Sequence, residues 1–343
     1  MSFSKEKREQ IKNYLLEKIS QNEKDFVKKA IEAFEISRNT VYRYLRELQE
    51  EEKISSGKDG YVLNERTFYR TYALLQDERL QSDDYIYEQD IFPIINKLPE
   101  NVQRMWDYCF TEMMNNVIDH SEAKHVTVYL NKNYLYTAVI IADDGVGIFN
   151  KIMKSFHFQN ANDAMIELFK GKLTTDTEHH SGEGIFFTSR IMDEFAAISD
   201  GKIFSHSEFS EIYSDLNALP KTDKNLFPRK GTLIFMKLSN FSKETCKEVM
   251  DEYASVDGGF TKTRIPIKNI FPNGPVSRSQ AKRLYSRFDE FQEIELDFRG
   301  VTDIGQGFAH ELFNVYPKTH KDVLLIPYNA GLEVQKMIQH VTS

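Results

Sequence analysis

Cysteine is almost absent from this chain. Cys109 and Cys246 are the only two in 343 residues, far apart and without metal-ligand spacing, which excludes a disulfide framework or a zinc knuckle. Apolar runs long enough to cross a bilayer are missing, and the opening MSFSKEKREQ lacks the apolar core of a signal peptide. A soluble, cytoplasmic protein with no membrane partner is therefore expected. A basic excess is missing too: 44 Lys and Arg against 52 Asp and Glu leave a net charge of -8, which excludes a chain that is a nucleic-acid binder throughout. No G-x-x-x-x-G-K phosphate loop occurs, and no histidine precedes His120. What is present is enough for packed cores, with 41% hydrophobic and 13% aromatic residues, and the length calls for two or three domains.

Near the N-terminus, Ile11, Tyr14, Leu15, Leu16 and Ile19 recur at helical spacing, and a second helix is expected from about Asp25 to Phe34. In EISRNTVYRYLRELQEEEKI, Ser37 can cap a third helix whose apolar face is Val41, Leu45 and Leu48. Arg38, Asn39, Thr40 and Arg43 then occupy its first turns and polar side, where a helix can offer donors to bases and phosphates. KISSGKDGYVLN reads as strand, turn and strand, with Lys53 and Lys58 near the turn. Three helices and such a hairpin resemble a winged helix-turn-helix domain over about residues 5–65. The resemblance implies duplex DNA as partner, contacted by Arg38, Asn39, Thr40, Arg43 and Lys58. The same scaffold serves as a protein-interaction module, and the acidic run Glu50–Glu52 would repel phosphate if it faced DNA.

In the middle, PENVQRMWDYCFTEMMNNVIDH forms an amphipathic helix with Trp106, Phe110, Met113, Met114 and Val117 on one arc. Glu112, Asn116, Asp119 and His120 fall opposite, a wet face without lysine or arginine. A carboxylate beside an amide oxygen can bind a hydrated Mg²⁺ and orient a water. Two strands follow, and the second (TAVII) runs into Asp143-Asp144-Gly145-Val146-Gly147. Next, HHSGEGIFF places Gly182 and Gly184 ahead of a helix, where backbone N–H groups can meet an anion. RKGTLIFMKL then opens a last strand with Gly231-Thr232.

Helix E-x-x-x-N, strand-end D-x-G-x-G, G-x-G before a helix and G-T on a strand, in that order, resemble the GHKL (gyrase, Hsp90, histidine kinase, MutL) ATP-binding fold over about residues 99–240. The resemblance implies ATP and Mg²⁺ as cofactors. It assigns Asn116 to the metal and phosphates, Glu112 to base catalysis, and Asp143 to the adenine amino group. Gly145 and Gly147 would turn beside the nucleotide, Gly182 and Gly184 would close on the phosphates, and Thr232 would support the adenine end. Phe149 to Ser181 would be a mobile lid. A histidine kinase would need an acceptor histidine upstream, which the chain lacks; His310-Glu311 in GFAHELF follows the ATP domain and reads as structural.

The last eighty residues alternate helix, strand, helix and strand, with strands EIELDF and VLLIPYN. The strand–turn–helix over Asp297 to Phe313 resembles a STAS-like domain. That implies docking on a protein partner or self-association, a homodimer included. Where STAS antagonists carry a phosphorylatable serine, this chain has Ile304-Gly305-Gln306-Gly307, and Thr302 is the nearest hydroxyl.

The expected fold class is thus multidomain α+β: winged helix 1–66, helical connector 67–98, GHKL (Bergerat) α/β sandwich 99–240, linker 241–276 and STAS-like α/β domain 277–343. The expected function is an ATP-binding, hydrolysing, DNA-binding regulator whose nucleotide state controls docking of the flanking modules. The alternatives are an anti-sigma-type serine/threonine kinase acting on a partner, or the ATPase component of a multiprotein assembly such as a defence system.

Overall fold

The computed structural model describes residues 3–58, 60–76, 78–81, 84–158, 160–172, 183–206, 230–255 and 259–343. It is mixed α+β, with three separate sheets among the described residues. Among the described residues no helix is long and apolar enough to cross a membrane.

The first unit packs α1 (Lys5–Ser20), α2 (Phe26–Phe34) and α3 (Arg38–Glu50) against a hairpin of β1 (Ile54–Gly57) and β2 (Gly60–Leu63). Hydroxyl caps start two of these helices: Ser4 Oγ accepts from Lys7 N at 3.2 Å, and Ser37 Oγ from Thr40 N at 3.2 Å. Ile11, Leu15, Leu16, Val41, Tyr44, Leu45, Leu48 and Ile54 form its own core. Lys12 is buried within it and reaches Glu47 at 3.0 Å and Glu51 at 2.5 Å. Glu51 also meets Lys53 at 2.7 Å. Of the exposed acidic run Glu50–Glu52 at the end of α3, Glu51 is thereby neutralised by two lysines.

The second unit is a six-stranded antiparallel sheet in the order β3-β4-β5-β8-β6-β7. Its strands are β3 (Arg66–Ala73), β4 (His125–Lys132), β5 (Tyr136–Asp143), β6 (Glu194–Ser199), β7 (Lys202–Phe204) and β8 (Leu233–Ser239). The expected helical connector thus begins with a sheet strand. RTFYRTYA is rich in aromatic and β-branched residues that suit a pleated edge, and it pairs with β4 along its whole length. Only after it do a short helix, α4 (Phe92–Ile95), and the long α5 (Glu100–Asn115) follow.

Trp106, Phe110, Met113 and Met114 of α5 pack with Val126, Val128, Val139, Ile141, Phe195 and Met236 from one face of the sheet. Ile140, Ala142, Ala196, Leu233 and Phe235 form a second apolar cluster from the alternate positions, so β5 is buried on both faces. The stretch expected as a mobile lid holds α6 (Ile148–Phe156) and α7 (Ala161–Lys170), which send Phe149, Ile152, Ala164, Leu168 and Phe169 into the core. Only residues 159 and 173–181 of that stretch lie outside the described residues. The helix α8 (Gly184–Ile191) then packs on α5.

The third sheet is parallel, in the order β11-β10-β9, with β9 (Lys262–Pro266), β10 (Glu293–Asp297) and β11 (Leu324–Tyr328). The expected linker 241–276 therefore contributes a strand, together with a helix at Cys246–Asp251 that a Thr245–Glu248 capping box starts. KTRIP is too short and too broken by charge to stand out as a strand, and only pairing with β10 defines it. Ile265, Ile294 and Leu296 turn inward against Ala281, Leu284, Phe308 and Leu312 from the covering helices.

Candidate functional site

The last residue of β5, Asp143, is only 3% exposed. Its Oδ1 accepts from Gly145 N at 2.8 Å and its Oδ2 from Thr232 N at 3.2 Å, while its own N–H donates to Thr232 O at 2.9 Å. Burial pushes this carboxyl up to about 6, against the pull of the two N–H donors. An ionised carboxylate can accept about four hydrogen bonds. The two N–H groups and the Thr232 hydroxyl draw on that capacity, and among the described residues no cation pairs with it.

Three glycines close the turn around it because nothing larger fits. A Cβ on Gly145 would lie 2.1 Å from Ser121 O, and one on Gly231, at φ +103°, would lie 2.0 Å from Asp143 O. Gly147 has φ +84° and abuts Ser199 Oγ and Asp200. Thr232 is buried, and its Oγ1 accepts from Ile148 N at 3.0 Å, fixing the start of α6. Asp143, Gly145, Gly147 and Thr232 therefore form one constellation.

Asp144 behaves differently from its neighbour. Its Oδ1 accepts from Lys124 N at 2.8 Å and His125 N at 2.9 Å, and its Oδ2 meets His125 Nδ1 at 2.8 Å. Burial opposes ionisation, but those N–H groups and the imidazole hold it below the usual carboxylate range. Asp144 is thus a brace onto the start of β4, more than the turn residue that Asp-Gly chemistry alone suggests.

Glu112 and Asn116 lie one turn apart at the end of α5, both half-buried. Asn116 Nδ2 donates to Glu112 O at 2.8 Å, and since a carbonyl only accepts, this contact fixes the amide orientation and turns Oδ1 away from the helix. At Asn116 the helix widens into one π-type turn, Asn116–His120, a distortion that often marks a functional position. Gly184 opens α8 directly against Glu112, where a Cβ would lie 2.0 Å from Oε2. The hydroxyl of half-buried Tyr108, one turn before Glu112, is raised by desolvation and by that carboxylate. Glu112, Asn116 and Gly184 form a second constellation; Gly182 lies outside the described residues.

Ser121, which sequence reasoning missed, joins the two. Its carbonyl accepts from Val146 N at 2.8 Å, and its Oγ donates to Val117 O at 2.6 Å and accepts from Ala123 N at 3.0 Å. The end of the α5 segment is thereby stitched to the D-D-G-x-G turn. A main-chain carbonyl leaves no trace in residue type, so only the glycine it requires at 145 hinted at it. Among the described residues no three His, Cys, Asp or Glu side chains gather into a metal cage.

On the first unit, Arg38, Asn39 and Arg43 are exposed on α3, Thr40 is half-buried beside the cap, and Lys58 is exposed in the hairpin. Tyr42 and Arg46 are exposed beside them at i+4 from Arg38 and Tyr42, a spacing that could have flagged both. Arg38 lies over the Tyr42 ring at 5.7 Å and Arg43 over Tyr44 at 4.9 Å. In the third unit Thr302 is exposed and its Oγ1 donates to Asp303 Oδ2 at 3.0 Å. Beside His310, Glu311 is buried and accepts from Tyr285 OH at 3.0 Å.

Residues 280–335 match the family model of a STAS-like domain of unknown function, DUF4325. No curated protein matches the chain. The C-terminal part of this mixed α+β chain is therefore a STAS-like domain, built on β10, β11 and their helices.

Proposed function

We propose that the chain is an ATP-binding regulator in which a GHKL-type nucleotide site sits between a DNA-binding winged helix and the STAS-like domain. The observation that carries this reading is Asp143: a buried carboxylate with no cation beside it among the described residues, pinned by two backbone N–H groups and with acceptor capacity left over. That is the chemistry needed to receive an exocyclic amine such as that of adenine. The antiparallel sheet, with α5 and α8 on one face and the D-x-G-x-G and G-T motifs at adjoining ends of its central strands β5 and β8, supports the same reading.

The residues fit a magnesium nucleotide. Mg²⁺ prefers one or two side chains plus phosphate oxygens and water over a protein cage, and the Asn116 amide oxygen meets that need. The ion would neutralise phosphate charge. Glu112, beside it, would take a proton from the attacking water, and the N-terminal turn of α8 would offer N–H groups toward phosphate. Helix α3 and the β1–β2 hairpin support a winged helix whose Arg38, Asn39, Thr40, Arg43 and Lys58 meet duplex DNA.

The direct test is ATP binding by calorimetry. Asp143→Asn is expected to weaken ATP about 100-fold, roughly 2.7 kcal/mol, with melting largely retained; equal affinity sinks the pocket. Incubation with γ-labelled ATP then separates released phosphate from label on protein, the latter making the chain a protein kinase. Turnover that survives Glu112→Ala removes Glu112 as base. Duplex DNA binding should fall steeply with salt and with Arg38→Ala or Arg43→Ala, and no binding at low salt makes the first unit an interaction module.

A further inference from the structure

Helix α8, which opens against Glu112 of the candidate nucleotide site, and α7, which packs on it, are fastened directly to the STAS-like domain and the strand beside it. Helix α8 begins at Gly184 on Glu112 and ends about 10 Å away, at 1.5 Å per residue. There Arg190 Nη2 donates to the carbonyl of Arg264 on β9. Between these ends, Phe186 and Phe187 pack on Phe260 with ring centroids 4.7 and 5.1 Å apart, and Phe260 in turn meets Phe291 at 5.5 Å.

The end of α7, which precedes α8 in the chain, is held as firmly. Lys170 is 1% exposed; its Nζ donates to Glu167 Oε1 at 2.6 Å and to Ser286 O, and its carbonyl accepts from Thr263 Oγ1 at 2.8 Å. Arg287 closes the cluster, with Nη1 at 3.3 Å from Glu167 Oε2 and Nη2 donating to Lys172 O at 3.1 Å. Lys172 Nζ donates to Glu290 O at 2.7 Å. Gly171, at φ +84°, lets the chain pass the Phe260 ring, which a Cβ would approach to 2.7 Å.

We infer that the STAS-like domain reads the state of the nucleotide site through α7 and α8, so that ligand binding at Glu112–Gly184 and docking of this domain on β9 and the Lys170–Glu167–Arg287 cluster are thermodynamically coupled. The inference rests on the nucleotide reading above and adds the direction in which that site signals. A short rigid helix cannot shift at one end without moving the other, and a buried ion cluster has discrete arrangements rather than a continuum. Linkage makes the coupling reciprocal: loosening the docked domain must change nucleotide affinity by the same factor that nucleotide changes docking.

The test uses the full chain with MgATP. Hydrogen exchange is read over residues 262–266 and 286–291, and ATP affinity is measured for Arg190→Ala, Arg287→Ala and the milder Thr263→Val, which remains informative if either arginine variant fails to fold. Expected are about tenfold slower exchange at both segments on ATP binding and a shift of about fivefold or more in ATP affinity in the variants. If the wild type binds ATP while exchange at both segments and the affinities of the folded variants stay unchanged, the coupling is wrong and the pocket stands. If the wild type does not bind ATP, while Asp143→Asn and wild type behave alike, the pocket and the coupling fall together.

Discussion

The two ends of the molecule meet the central sheet in opposite ways. The C-terminal domain shares one continuous apolar core with the central unit: Trp106, Met236, Phe260, Ile294 and Phe308 belong to a single cluster. The N-terminal unit keeps its own core, and Tyr134 and Leu135, from the turn before β5, are the central residues packed against it. Lys53 sits 3.9 Å above the Tyr134 ring, and the Asn64 N–H donates to Lys53 O to lead the chain out. A shared core with buried charges transmits strain and unfolds as one body. A ring, a cation and a strand end allow one module to keep its structure while the other changes.

The largest effect should come from Arg287→Ala, which leaves Glu167 buried with one cation fewer. Lys170 still pairs with Glu167, so the loss of the charge-assisted contacts is expected to cost about 3 kcal/mol, seen in urea unfolding as an earlier transition in which central and C-terminal signals move together. Separate transitions for the two would break the comparison.

Next comes a pH effect at Asp143. The folded carboxyl keeps its proton up to about 6, whereas an unfolded aspartate releases it near 3.9. Between those values the folded state binds more protons, so this group's contribution to stability falls as pH rises through about 4 to 6. Relative to Asp143→Asn, the wild type should lose about 2 to 3 kcal/mol between pH 4 and pH 7, measured by urea unfolding of both. A difference that is flat with pH would show that the carboxyl is not held in a desolvated site.

Smallest is Tyr134→Ala. Losing the cation–π contact and one ring should cost about 0.5 to 1 kcal/mol, confined to the unfolding of the N-terminal unit. A shift of the main transition as well would mean the first unit is coupled to the sheet more tightly than its separate core implies.

How far the sequence reached differs along the chain. Helix α3 was legible because Ser37, Val41, Leu45 and Leu48 combine a cap with strict periodicity. Asp143 stood out because a carboxylate ending an apolar strand is unusual, and the structure buries it. In the expected connector the alternation of RTFYRTYA is diluted by arginines, and only its pairing with β4 makes it a strand. Strand β9 is hidden in the expected linker for a similar reason, its burial arising from β10 and from residues 93 positions earlier such as Lys170. In the expected lid, Phe149 and Phe169 anchor two helices in the core, a burial that only distant partners define.

By itself the sequence determined which residue types stand where chemistry is possible: Glu112 and Asn116 one turn apart, Asp143 at a strand end, and glycines at 145, 147 and 184. These are local properties of period, cap and side-chain chemistry, and they need no neighbour to be read. The tertiary structure alone decided that Asp143 is desolvated while Asp144 is braced by His125, and that Ser121 ties the α5 end to the glycine turn. It also decided that the C-terminal domain is welded to α7 and α8 while the N-terminal unit is not. Burial, backbone contacts and shared cores arise between residues distant in the chain, and no window of sequence contains them.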